Sequence, residues 1–179
     1  MRNVILICGQ AGSGKNQFAD YLKEAIDFNN GKPIERTLII NNANNVKKLA
    51  RERFHWNGKK DPDGRKLLLS LTESGYAKDP MYWEKETYTD AIIEKQSKPT
   101  LDTLIIPDWR FQQTYDYFHK IADKVVCIRV ERFNNPNKPF NHESERNFRD
   151  FDTDYVVQNN NDLEHLNKIA KAICGQMSL

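Results

Sequence analysis

The sequence predicts an α/β protein: a doubly wound, mostly parallel sheet flanked by helices in three layers. Three observations carry this. Short apolar runs recur along the chain with amphipathic stretches between them. The first run ends in a glycine-rich turn that opens directly into a helical pattern. Finally, 179 residues with 39% hydrophobic and 29% charged suit one compact domain over 1–179.

Taken in order, Val4 to Cys8 is an apolar run bounded by glycine and reads as the first strand, and Asn16 to Ala25 follows with apolar residues three and four apart. Thr37 to Ile40 is the second strand. Three helical patterns come next, Asn44 to His55, Gly64 to Ser74 and Met81 to Glu94, and together they make a helical insertion over about 41–98. Leu104 to Ile106 is a strand, Phe111 to Ala122 a helix, Val125 to Val130 a strand, Tyr155 to Val157 a strand and Leu163 to Ile173 a closing helix. Asparagines cluster at Asn41 to Asn45, around Asn134 to Asn137 and at Asn159 to Asn161, where turns and helix starts are expected.

Composition narrows the partners. A net charge of +2, spread along the chain, gives no concentrated basic face for nucleic acid. Cys8, Cys127 and Cys174 are widely spaced, lack a CxxC pair and read as reduced thiols in or near the core, as in a cytoplasmic protein. No apolar stretch approaches the about 18 residues that a membrane span needs.

The strongest motif is Gly9-Gln-Ala-Gly-Ser-Gly-Lys15, which fits GxxxxGK, the Walker A pattern of a phosphate-binding P-loop. Three of the chain's eight glycines lie here, because backbone N–H groups that all turn inward around a phosphate leave no room for side chains. Lys15 brings an ammonium to the outer phosphates, and the helix after it presents its positive end. An ordinary glycine-rich turn would not require strand, loop, lysine and helix together. Gly9, Ala11, Gly12, Ser13, Gly14, Lys15, Asn16 and Gln17 are therefore the expected ATP contacts. Asn16 stands where Ser or Thr normally offers magnesium a hydroxyl, so its amide oxygen is expected to be a weaker or outer-sphere ligand, with Asp108 as the second metal candidate.

A second informative segment, Leu104-Ile-Ile-Pro-Asp108-Trp-Arg110-Phe, ends a strand in an acid and an arginine where a parallel sheet opens its crevice. The carboxylate suits a metal shell or an acceptor hydrogen bond, and the guanidinium suits a phosphate. The plainer alternative is a local Asp108–Arg110 ion pair. In the helical insertion Arg65 suits an acceptor monophosphate. Phe54, Trp56, Tyr82 and Trp83 suit either base stacking or helix packing. The polar stretch 131–149, with Pro136 and Pro139, is the expected lid, and Arg132, Arg146 and Arg149 are expected to close over the transferring phosphoryl group. Ser144 suits a helix cap there, which makes His142 a poor catalytic candidate.

The order of segments resembles the deoxynucleoside monophosphate kinases of phages and their bacterial relatives, within the nucleoside monophosphate kinase-like P-loop group. The matching pieces are GQAGSGK, NANNVKKLARERFHW, GRKLLLSLTESG with DPMYW behind it, PDWRF, HESERNF and DYVVQNNNDLEHL. The resemblance implies a three-layer P-loop fold, ATP as donor, magnesium, and a deoxynucleoside monophosphate as the small-molecule acceptor. It places Arg65, Trp83, Asp108 and Arg110 along the acceptor side; Lys47 and Phe111 complete the expected acceptor set, and Lys15, Asp108, Arg132 and Arg146 form the expected catalytic group. Asn16 and Pro107 depart from the family pattern. Two further readings stand beside this one: a kinase of the same fold acting on another small phosphorylated or hydroxylated acceptor, and a nucleotide-binding sensor without turnover. Nucleic acid and membrane are not expected partners, and a homodimer is compatible with the sequence.

Overall fold

The computed structural model describes residues 1–29, 32–133, 150–177 and 179. Its centre is a five-stranded sheet in the order β4-β5-β1-β6-β7, built from β1 (Asn3–Cys8), β4 (Thr37–Ile39), β5 (Thr103–Ile106), β6 (Lys124–Glu131) and β7 (Tyr155–Gln158). Every pairing is parallel, with Ile5 of β1 between Ile105 and Val126. Strands covered on both faces need apolar side chains on both, and β1 is buried from Val4 to Cys8.

Alternate residues of β1 enter two cores. Ile5 and Ile7 pack with Phe18, Leu22, Leu166 and Ala170 from α1 (Lys15–Asp27) and α6 (Leu163–Gln176). Val4, Leu6 and Cys8 pack on the opposite face with Ala91 and Phe118, from α4 (Tyr82–Ser97) and α5 (Gln112–Ile121). The result is the three-layer α/β arrangement that the alternating apolar runs predict. A third, smaller core of Val46, Ala50, Leu71 and Trp83 joins α2 (Ala43–Phe54), α3 (Pro62–Lys78) and α4 within the crossover from β4 to β5.

The spacing places the five strands and six helices correctly but misses details at their ends. Helix α3 begins at Pro62 rather than Gly64, because Asp61 accepts a hydrogen bond from Gly64 N at 2.8 Å and Pro62 suits the first turn. A short antiparallel pair not expected from the sequence, β2 (Phe28–Asn29) with β3 (Lys32–Pro33), follows α1. Most of the expected lid, including Arg146, Arg149 and His142, lies outside the described residues; Arg132 is exposed just beyond β6. Among the described residues no helix is long and apolar enough to cross a membrane.

The topology fixes where a ligand can sit. From β1 the chain runs outward to β4, returns to β5 on one side of β1, and then crosses to β6 on the other. The loops after β1 and β5 therefore meet at the carboxyl ends of neighbouring strands, at the switch point where open parallel sheets bind ligands.

Candidate functional site

The loop after β1 is shaped by backbone conformations that only glycine adopts readily. Gly9 has φ 141° and Gly14 has φ 97°. A side chain on Gly9 would strike Val130 O, and one on Gly14 would strike the Asn159 amide. Asn159 itself is buried and donates to Ser13 O at 2.8 Å, so the end of β7 pins the loop from across the sheet. Lys15, the first residue of α1, is 7% exposed. Its Nζ donates to Gly9 O at 2.6 Å and Gln10 O at 2.9 Å, curling the loop around the ammonium.

The segment after β5 supplies the facing charges. The turn after β5 sends Trp109 into the core, where it stacks on Phe151 with ring centroids 4.2 Å apart. Asp108 and Arg110, on either side of it, line the cleft. Arg110 Nε donates to Asp108 Oδ2 at 2.9 Å, while Asp108 Oδ1 lies 3.7 Å from Lys15 Nζ. The local ion pair anticipated from the sequence therefore exists, and the same carboxylate also reaches the P-loop lysine.

These two loops and the helices α2 and α3 enclose a cleft of about 1180 Å³. Ala11, Gly12, Lys15 and Asn16 line it from the loop, whereas Gly9, Ser13, Gly14 and Gln17 do not line it. Every acceptor-side residue expected from the sequence, Lys47, Arg65, Trp83, Asp108, Arg110 and Phe111, lines the same cleft; Arg132 does not. Burial, reinforced by Lys60, holds the Lys47 ammonium below its ordinary pKa, with Asp108 opposing. Arg65 Nε donates to Lys60 O at 2.8 Å, which orients its guanidinium from the backbone ahead of α3. Trp83 is buried and donates its indole N–H to Thr72 O at 3.0 Å, so it forms wall rather than a free stacking plate. Phe54, by contrast, is exposed and belongs to neither core nor cleft.

Several residues went unrecognised in the sequence. Lys60 and Lys66 also line the cleft and add two more cations. Their charge was visible, but only the cap at Asp61 and the turn of α3 decide which way they face. Asn159 carried a usable signal, an asparagine directly after the last strand where all the carboxyl ends converge. Tyr76, Thr114 and buried Glu84 carried none.

A family model described as deoxynucleotide monophosphate kinase matches residues 65–169, more than half of the chain. No curated protein sequence matches. Among solved structures the chain is similar to a protein called APE1195, at 12% identity over 97% of this chain and 95% of that one, with a TM-score of 0.45. It is also similar to a sugar kinase from Janibacter sp. HTCC2649, at 15% identity over 96% of this chain and 93% of that one, with a TM-score of 0.43.

Proposed function

The chain belongs to the deoxynucleotide monophosphate kinase family, and from that premise we propose that it moves the terminal phosphoryl group of ATP onto a nucleoside or deoxynucleoside monophosphate. The observation that carries this reading is one cleft of about 1180 Å³ with the P-loop lysine at one wall and Lys47, Arg65 and Arg110 along the others. Pockets for one small ligand span roughly 300–1,000 Å³, so this space suits two phosphorylated ligands meeting end to end. The helical insertion, about 41–98, then serves as the acceptor module of a single domain.

An oxygen of the acceptor phosphate forms the new bond to the γ-phosphorus while the bond to the bridging oxygen breaks, and ADP leaves with that electron pair. Positioning and charge supply the catalysis. Lys15 exchanges its two loop carbonyls for phosphate oxygens, and Arg110 and Arg65 hold the acceptor phosphate. Asp108, touching both Lys15 and Arg110, fixes the spacing of the two cations. Arg132 and Arg146 are the further cations expected in the catalytic group; Arg132 is exposed outside the cleft, and Arg146 lies outside the described residues.

The residues present suit magnesium. Asp108 offers a carboxylate and Asn16 an amide in one cleft, and Ser13 Oγ is a buried hydroxyl without a hydrogen-bond partner among the described residues. Asp108 and Asn16 would hold the ion largely through water. When bound, it would neutralise charge on the phosphate oxygens.

The test is ADP release from magnesium ATP against a panel of nucleoside monophosphates, deoxynucleoside monophosphates and phosphorylated small acids, with Lys15→Ala as the blank. Stimulation by one nucleotide class is the expected result. A flat panel with intact ATP binding would overturn it in favour of another acceptor or of a nucleotide-binding sensor, the reading that Asn16 motivates.

A further inference from the structure

Ser13, in the P-loop, is fully buried. Its N–H donates to Gln10 O at 3.1 Å, and its carbonyl accepts from the Asn159 amide at 2.8 Å. Asn159 is itself buried, and its own N–H donates to Glu131 O at 2.7 Å at the end of β6. The amide that reaches the loop is thus anchored to a neighbouring strand, and a side chain with no donor could not hold the Ser13 carbonyl in this way.

That bond sets the direction of a whole peptide unit. A trans peptide is planar, with its C=O and N–H pointing opposite ways, and no cis peptide occurs among the described residues. With the Ser13 carbonyl turned toward Asn159, the Gly14 N–H is turned away from it. In the sheet, β7 lies beyond β6 on one side of β1, whereas β5 and β4 lie on the other. The Gly14 N–H is therefore directed away from the β7 side and toward the side of β5, where Gly12, Lys15 and Asn16 line the cleft with Asp108. Gly14 is also the N-cap of α1 and makes no side-chain cap bond, which leaves the N–H groups of the first turn to an anion.

We propose that Asn159 is a positioning residue for the donor phosphates, holding the Ser13–Gly14 peptide so that the Gly14 N–H serves a phosphate oxygen of the bound triphosphate. This rests on the P-loop reading above. Without the amide donor the peptide next to a glycine can turn over, and a carbonyl oxygen then faces the phosphate where an N–H should. The effect belongs to the donor phosphates: Asn159 does not line the cleft, and Lys47, Arg65 and Arg110 line it from other elements.

Calorimetric titration tests this in the wild type, Asn159→Asp and Asn159→Ala, with ATP, with inorganic triphosphate and with the monophosphate that the acceptor panel selects. Asn159→Asp keeps the shape and replaces the donor by an oxygen against Ser13 O. ATP and inorganic triphosphate should both bind about tenfold to a hundredfold more weakly, with monophosphate binding unchanged. Asn159→Ala removes the donor without adding charge; it should show the same selectivity with a smaller loss, and it gives the reading if Asn159→Asp fails to fold. Urea unfolding measures the stability cost separately, since a purely structural pin would lower stability and leave the ratio of triphosphate to monophosphate affinity unchanged. Equal weakening of all three ligands, no weakening, or a loss with ATP that inorganic triphosphate does not share overturns the inference while leaving nucleotide binding at the P-loop standing. Failure of the wild type to bind ATP overturns both.

Discussion

The two walls of the cleft are made by different means. On the P-loop side, shape comes from the main chain: left-handed glycines at 9 and 14, carbonyls of Gly9 and Gln10 around Lys15, and one buried amide from Asn159. On the helical side it comes from side chains on α2, α3, α4 and the start of α5, held over a small core of Val46, Ala50, Leu71 and Trp83. A main-chain wall suits a ligand part common to all nucleotides, since phosphates look alike and backbone N–H groups are always present. A side-chain wall can be altered one residue at a time, which suits the part that distinguishes one acceptor from another.

This contrast fails if substitutions on one side disturb both ligands equally. The largest effect is expected from Lys15→Ala, a loss of about a hundred- to thousandfold in kcat, with an unchanged circular dichroism spectrum. Arg110→Ala should raise the acceptor KM about tenfold to a hundredfold, in line with the about 1.5–3 kcal/mol of a hydrogen bond to a charged group. Steady-state titration of each substrate checks this, and a larger change in the KM for ATP would reassign Arg110 to the other wall.

Backbone effects are expected to be smaller. Gly14→Ala places a Cβ against the Asn159 amide in a backbone conformation unfavourable to alanine, costing about 1–3 kcal/mol, and should weaken ATP before acceptor. Gly75→Ala drives a Cβ into the Trp83 indole. Overpacking of about 1–3 kcal/mol should loosen the helical side and raise the acceptor KM while calorimetric ATP binding holds. Urea unfolding of both variants measures the stability cost.

The smallest effect concerns Cys8, beneath the P-loop, whose thiol burial pushes up from 9.0 to about 12. The folded state keeps its proton where the unfolded chain has lost it. Stability should therefore be unaffected by this group below pH 9 and fall as the pH rises from there toward 12. Denaturant unfolding of wild type and Cys8→Ala between pH 7 and 10 should show the shallower alkaline decline in the variant.

How far these features were legible in the sequence depends on how local their causes are. Strands buried on both faces must be apolar, so β1 and β5 declare themselves, and β6 does so through its central run Val125 to Ile128. A P-loop must place its glycines and lysine at fixed offsets, so residues 9–15 do too. The acid and arginine after β5 stand out because any strand end in a parallel sheet faces the crevice. Which of Asp108's two cationic neighbours it would touch was not legible, and the structure gives it both.

By itself, then, the sequence determined the layer architecture, the glycine-rich loop after the first strand and the strand end that faces it, since each follows from repeats or offsets within a few residues. Tertiary structure alone decided that Asn159 reaches back across 146 positions to Ser13. It also decided that Trp83 closes a wall rather than stacking openly, and that Thr114 meets Glu84 across 30 positions. Those contacts join elements far apart in the chain, and no spacing within a single element encodes the partner it will find.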